Sequence, residues 1–327
     1  MQNSLRGFAT ILLLVWVLLC IGAWYYSHLH DIPTRLVAAV LPAFLVEAGL
    51  YLATGMPVTR RLLERAGPPW VIAAVLTISA VLPYSIYAIG TGLFRPTAAV
   101  VLVLMAGLVS CWYLFAKASS AADVALLIFM AIVYMAKVFN WVYPDPAPYV
   151  TTLVLGRLMW IRVGILSILS IRRMGGIGFG LAPTRREWGV GFLHFLYFLP
   201  LGLIPAVLLH FVRPQIVPIT AKVLIIAVAT FLGTLWVLAA MEEFFFRGVL
   251  QQMLTRKLRN TALAIVVTSL LFGSVHLWYS SFPNWRFAAL AAIAGLFYGR
   301  AYTQTGSVRA SMVTHALVVT TWRVFLA

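Results

Sequence analysis

The amino-acid sequence predicts an all-α polytopic membrane protein with about eleven transmembrane helices. Three observations carry the prediction. Of 327 residues, 63% are hydrophobic and 10% are charged, whereas soluble domains carry about 25% charged residues. The apolar runs are about 20 residues long and do not alternate in polarity, which is the length and pattern of bilayer-crossing helices and not of barrel strands. Lysine and arginine gather in every other loop, as they do on the cytoplasmic side of membrane proteins. A mean hydropathy of +0.98 leaves too little polar cover for a soluble enzyme or a disordered chain. The two cysteines, Cys20 and Cys111, lie inside apolar runs, where they pack and form no disulfide framework.

Taken in order, the expected spans fall near 8–26, 36–54, 70–91, 97–115, 121–139, 149–171, 188–210, 219–246, 261–279, 286–303 and 307–326. The first follows a short start carrying Arg6 and has no small-residue cleavage site after it, so it reads as a retained helix. With the N-terminus in the cytoplasm, the inner connections hold Arg60, Arg61 and Arg65, then Lys117, then Arg172, Arg173, Arg185 and Arg186, then Arg256, Lys257 and Arg259, and last Arg300 and Arg309. The outer ones hold Arg35, Arg95, Arg213 and Arg286, with Lys137 as an exception near an outer end. This distribution accounts for a net charge of +16 without a nucleic-acid partner. The longest connection, 172–187, reads RRMGGIGFGLAPTRRE and marks a boundary. Residues 1–180 form an N-terminal extension of about six helices, and 185–327 a second domain.

Charge at bilayer depth is costly, so each buried ionisable group is a candidate site. Glu47 stands alone in its span and needs a partner, for which Arg157 and Arg162 in the sixth span are available. Glu242 and Glu243 lie in LWVLAAMEEFFFRGVLQQML. Residues four apart share a helix face, so Glu243 can pair with Arg247 in the favourable acid-first order. Glu242 then lies on another face without a local cation, as suits a proton-accepting general base. His276 and His315 lie in later spans, and His194 and His210 in the seventh; a lone histidine in a helix is more often a packing group. The basic segment 255–260 reads as the turn of a helical hairpin with its pivot near Arg259. Glu242 and His276 are then equidistant from the pivot, each ~25 Å along its helix.

A carboxylate and two imidazoles converging in a bilayer suit two chemistries. In one, Glu242 and His276 activate a water and His315 helps hold the oxyanion. In the other, the same set binds zinc. The chain has no HExxH pair, so the familiar helical zinc signature is missing and the metal-free version is expected.

These residues resemble the CPBP (CAAX protease and bacteriocin-processing) family of intramembrane proteases. The family's Glu-Glu-x-x-x-Arg motif is matched by Glu242, Glu243 and Arg247, and its Phe-x-x-x-His motif by Phe272 and His276. Its third motif, His followed four residues later by Asn or Asp, is matched at His315 and departed from at Val319. A Gly-rich helix leading to a Thr-Gly-Ser turn, AGLFYGRAYTQTGSVRASMVTHA, is also similar, and the likeness covers roughly 185–327. The resemblance is strongest to the type II CAAX prenyl endopeptidase branch. It implies a helical bundle that cleaves peptides near a membrane surface, with Glu242 as base, His276 as its partner and His315 serving the oxyanion. Val319 has no donor, and Thr320, Thr321 and Asn284 are the available replacements.

The expected function is therefore that of an intramembrane endopeptidase, glutamic in type, acting without a cofactor on a membrane-associated protein or peptide, at a tail or leader. The expected setting is a multi-pass protein of the plasma membrane, or the inner membrane of a bacterium. Two alternatives remain at this stage. One is a non-catalytic immunity or scaffold protein on the same fold, favoured by Val319. The other is a proton-coupled transporter, disfavoured by the lack of an internal repeat.

Overall fold

The computed structural model describes residues 2–212 and 217–326, with side chains from Leu5 onward. Arg213, one of the expected outer-loop cations, lies outside them. Every regular element among the described residues is helical. Eight helices are long and apolar enough to cross a membrane, and the chain is an all-α polytopic membrane protein.

The helices are α1 Gln2–Leu29, α2 Thr34–Gly55, α3 Pro57–Arg65, α4 Pro69–Thr91, α5 Pro96–Phe115, α6 Ser120–Met135 and α7 Val138–Val142. They continue with α8 Leu153–Ile171, α9 Arg185–Leu208, α10 Ala221–Leu258 and α11 Thr261–Trp278. The last two are α12 Trp285–Thr305 and α13 Val308–Thr321, and α13 runs on into a π-helical turn at Trp322–Leu326.

Each expected span thus has a helix, but three fall outside the eight. Helix α6 has 16 residues, or ~24 Å, short of the ~30 Å of a hydrocarbon core. Helix α12 has 21 residues but carries Arg286, Arg300 and Gln304; its buried face of Ala291, Ala294, Gly295, Tyr298 and Ala301 packs on other helices. Helix α13 has 14 residues before its π turn and is buried along most of its length.

Local chemistry sets the ends. Proline occupies the first turn of α3, α4 and α5, where its missing N–H costs nothing. Thr184 and Glu187 form a reciprocal capping box at α9. Thr220, Asn260, Asn284 and Ser307 cap α10 to α13 with side-chain oxygens. Gly306, at φ 67°, ends α12 in the left-handed region that glycine adopts without strain.

The chain divides into two compact units, Met1–Met174 and Gly175–Ala327. In the first, Glu47 of α2 meets Arg162 of α8 at 2.8 Å, with both side chains buried. Of the two arginines the sequence offers, Arg157 instead lies over the Tyr134 ring at 5.4 Å. The second unit contains α9 to α13. Helices α11 and α12 approach so closely that a Cβ on Gly273 would lie 2.5 Å from the Ala288 carbonyl oxygen.

Helix α10 is not a regular α-helix. It turns π-helical at Thr234–Leu238 and again at Phe244–Gln251, leaving one short α turn, Ala239–Glu243, that carries both glutamates. Such wide turns inside α-helices are rare and occur mostly at functional sites.

Candidate active site

Glu243 is the hub of a buried polar group. Its Oε1 accepts from Arg247 Nη1 at 3.1 Å, the i, i+4 pair expected from the sequence. The same oxygen lies 2.8 Å from His315 Nδ1, which brings α13 onto α10. Arg247 also donates to the Gly295 carbonyl at 3.2 Å. Its guanidinium sits 4.4 Å from the Phe272 ring centre and 5.2 Å from that of Tyr298, where the aromatic faces favour a cation. Phe272 is thus a wall of the site: it meets Arg247, His276 and His315.

Glu242 takes the outer place. Its Oε2 lies 3.8 Å from His315 Nε2, and its side chain keeps 16% of its exposure where that of Glu243 keeps none. A separation of 3.8 Å is too long for a direct hydrogen bond. The neighbouring histidine of Glu242 is therefore His315; no direct hydrogen bond or ion pair joins Glu242 to His276 among the described residues. His276 begins the 3₁₀ turn at the end of α11 and lies with its Nδ1 2.7 Å from the Phe272 carbonyl oxygen. Its ring centre is 4.7 Å from that of Phe272 and 4.9 Å from that of Phe287.

These contacts fix the histidine tautomers. A backbone carbonyl and a carboxylate paired with arginine can only accept. Nδ1 therefore carries a proton in both His276 and His315, which in the neutral tautomer leaves the lone pair at Nε2. Glu242 Oε2, Glu243 Oε2 and Arg247 Nε are buried and have no hydrogen-bond partner, an arrangement rarely kept in a core without a chemical use.

The other sequence candidates fall elsewhere. His194 bonds Gln304 Oε1 at 2.9 Å and ties α9 to α12. His210, at φ 52°, forms the turn after α9. Asn284 accepts from Phe287 N and donates to the Tyr279 carbonyl, so capping α12 uses both ends of its amide. Thr320 is buried and its hydroxyl bonds nothing, but it lies five residues beyond His315, about 140° around the helix. Tyr298 is the residue that motif reasoning missed. Its ring stacks on His315 at 4.6 Å and 13°. The available signal was one bulky residue on a small-residue face, at positions 291, 294, 295 and 298 of AAIAGLFYGRAY. No three His, Cys, Asp or Glu side chains among the described residues are grouped as metal ligands.

In comparisons with known proteins, neither a curated protein nor a solved structure matches the chain. A family model does, over residues 220–321, and its description is type II CAAX prenyl endopeptidase Rce1-like. That stretch contains Glu242, Glu243, Arg247, Phe272, His276, Tyr298 and His315, all in the second unit. The C-terminal part of this chain thus resembles the CPBP intramembrane proteases, in their type II CAAX prenyl endopeptidase branch.

Proposed function

We propose that the protein is an intramembrane endopeptidase in which Glu242 is the general base. The observation that carries this reading is the run Arg247–Glu243–His315–Glu242, four ionisable groups in line on two helices of an apolar bundle. Exposure rises along it, from none at Arg247 and Glu243 to 4% at His315 and 16% at Glu242. Glu242 takes one proton from a water whose second O–H donates to the Nε2 lone pair of His315 or of His276. The water oxygen bonds to the peptide carbonyl carbon, and the carbonyl π pair moves to oxygen. On collapse the C–N bond breaks, and Glu242 returns the proton to the leaving nitrogen. Glu243 holds His315 in the required tautomer and orientation, as a carboxylate does for the base of a catalytic triad. No step uses a metal. The substrate is a membrane-associated peptide, at a tail or leader, and the N-terminus lies in the cytoplasm.

The test uses the full chain in proteoliposomes with a lipid-anchored fluorogenic peptide. Losing a general base commonly costs about 10²–10⁴-fold in rate. Glu242→Ala should therefore almost abolish cleavage while the protein stays folded, and His315→Ala and His276→Ala should be severe. A strong chelator should leave the rate unchanged. Activity lost to chelation and restored by zinc would replace the glutamic mechanism with a metal-assisted one. A non-catalytic protein on this fold is the second reading, favoured by Val319; it requires Glu242→Ala and the wild type to be equally inert. Labelling of an engineered terminal cysteine from either side of the vesicle checks the orientation.

A further inference from the structure

We infer that the phenol of Tyr298 is the oxyanion donor of this site; the inference rests on the endopeptidase reading and adds a residue to it. The need for a donor follows from what the other side chains do. The position one turn after His315 is Val319, whose side chain has no N–H or O–H to give. His315 and His276 spend their Nδ1 protons on Glu243 and on the Phe272 carbonyl, and in the neutral tautomer Nε2 has a lone pair and no proton to give. Arg247 is turned to Glu243 Oε1 and Gly295 O and packed against rings. Asn284 is consumed by its cap, and Thr320 faces another side of α13.

Tyr298 supplies what the others do not. Its ring is stacked on His315 at 4.6 Å and lies 5.2 Å from Arg247, with Phe272 edge-on at 6.0 Å and 74°. Its side chain is 2% exposed, so its position is set by packing and needs no reorganisation during the reaction. The hydroxyl is in electrostatic reach of Glu243, Arg247 and Glu242. Glu242 Oε2 and Thr320 Oγ1 are buried and partnerless, and no hydrogen bond among the described residues takes the Tyr298 proton.

A phenol O–H donates to an oxyanion without being consumed. When the water oxygen bonds to carbon and the π pair moves to oxygen, the Tyr298 proton shortens its hydrogen bond to that oxygen and stays on the phenol. When the intermediate collapses, the hydrogen bond relaxes. Proton transfer remains with Glu242, and the charge that develops meets a fixed dipole in a water-poor site, where such a donor has its largest effect.

The experiment pairs kinetics with an analogue that mimics the oxyanion. The full chain in detergent receives a lipid-anchored fluorogenic peptide, or the same peptide with a phosphinate in place of the scissile amide. Tyr298→Phe keeps the stacked ring and removes one oxygen. It should lower kcat about 10²–10³-fold, leave KM and the melting temperature unchanged, and weaken phosphinate binding by a similar factor while the parent peptide binds as before. Equal kcat and equal phosphinate affinity in Tyr298→Phe would overturn the assignment while leaving the protease reading standing. A wild type that neither cleaves the peptide nor prefers the phosphinate overturns both. Were Tyr298→Phe to misfold, 3-fluorotyrosine at position 298 keeps the ring and the hydroxyl but makes the O–H a stronger donor. Phosphinate affinity and kcat should then rise together, and two unchanged values would overturn the inference.

Discussion

Among the described residues the two units each hold one fully buried arginine–glutamate pair, and the pairs differ in how they end. Arg162 is closed on every side. Its Nε and Nη2 reach the two oxygens of Glu47 at 2.8 and 3.2 Å, and Nη1 and Nη2 reach the hydroxyl and carbonyl of Ser79 at 2.8 and 2.6 Å. Arg247 is left open. It gives Glu243 one bond, its Nε has no partner, and Glu243 Oε2 has none either. The carboxylate oxygen that accepts from Arg247 also accepts from His315, whose far nitrogen looks toward Glu242. A satisfied pair in an apolar interior holds helices together. A half-satisfied one costs stability, and what it offers in return is an oriented imidazole beside a second carboxylate.

The comparison breaks first on single carboxylate replacements, where the largest effects are expected. Glu243→Gln should lower the cleavage rate about 10²–10⁴-fold, because an amide in place of the carboxylate can hold His315 in the wrong tautomer. It should also destabilise the protein by about 3–5 kcal/mol, the usual result of removing one partner of a buried pair. Glu47→Gln should carry the same stability loss but leave the rate per folded molecule unchanged. Thermal unfolding and active-site-normalised kinetics measure both. A stable but inactive Glu243→Gln protein would move the base assignment from Glu242 to Glu243, and a slow Glu47→Gln enzyme would mean that the closed pair also serves the chemistry.

Apolar double replacements sharpen the same contrast at smaller scale. Replacing a buried ion pair by well-packed apolar side chains is often neutral or stabilising by about 1–4 kcal/mol. Glu47→Leu with Arg162→Met should thus recover most of the stability that Glu47→Gln loses. Glu243→Leu with Arg247→Met should recover stability in the same way and leave no activity. Equal recovery of activity in both doubles would remove the distinction between the two pairs.

These differences were only partly legible in the sequence. The hairpin pivot was, because a basic run between apolar segments is a loop signal, and Arg259 is indeed left-handed at φ 52° with Asn260 capping α11 after it. The Glu243–Arg247 contact was as well, since four-residue spacing places two side chains on one face. The choice of Arg162 over Arg157 was not, because both lie in one helix and only the rotation of α8 decides between them. Nor was the Glu243–His315 bond, which spans 72 residues of sequence and depends on how α13 packs on α10. The π turns of α10 were not legible, because they have no residue signature. Asn284 looked chemically useful because a cap and a catalytic amide are the same residue type; only its neighbours reveal which one it is.

The smallest expected effect tests whether closure, and not membership of the second unit, separates structural pairs from chemical ones. Glu187 and Arg309 form a third pair, at 3.1 and 2.8 Å, joining the start of α9 to the start of α13. Arg309 is six residues before His315 and keeps 26% of its side-chain exposure, yet both carboxylate oxygens of this pair are used: Glu187 Oε2 accepts from Thr184 N at 2.6 Å, and Glu187 N donates to the Thr184 hydroxyl. Thr184→Ala removes one bond of the capping box and should cost about 1 kcal/mol of stability. Among the described residues, no hydrogen bond or ion pair joins the helix start it loosens to the Glu243–His315–Glu242 run. kcat should therefore be unchanged within twofold, and the melting temperature should fall by a few degrees. A drop in kcat larger than the stability loss would mean that α13 transmits the Glu187–Arg309 contact to His315, and that a closed pair can also position the catalytic imidazole.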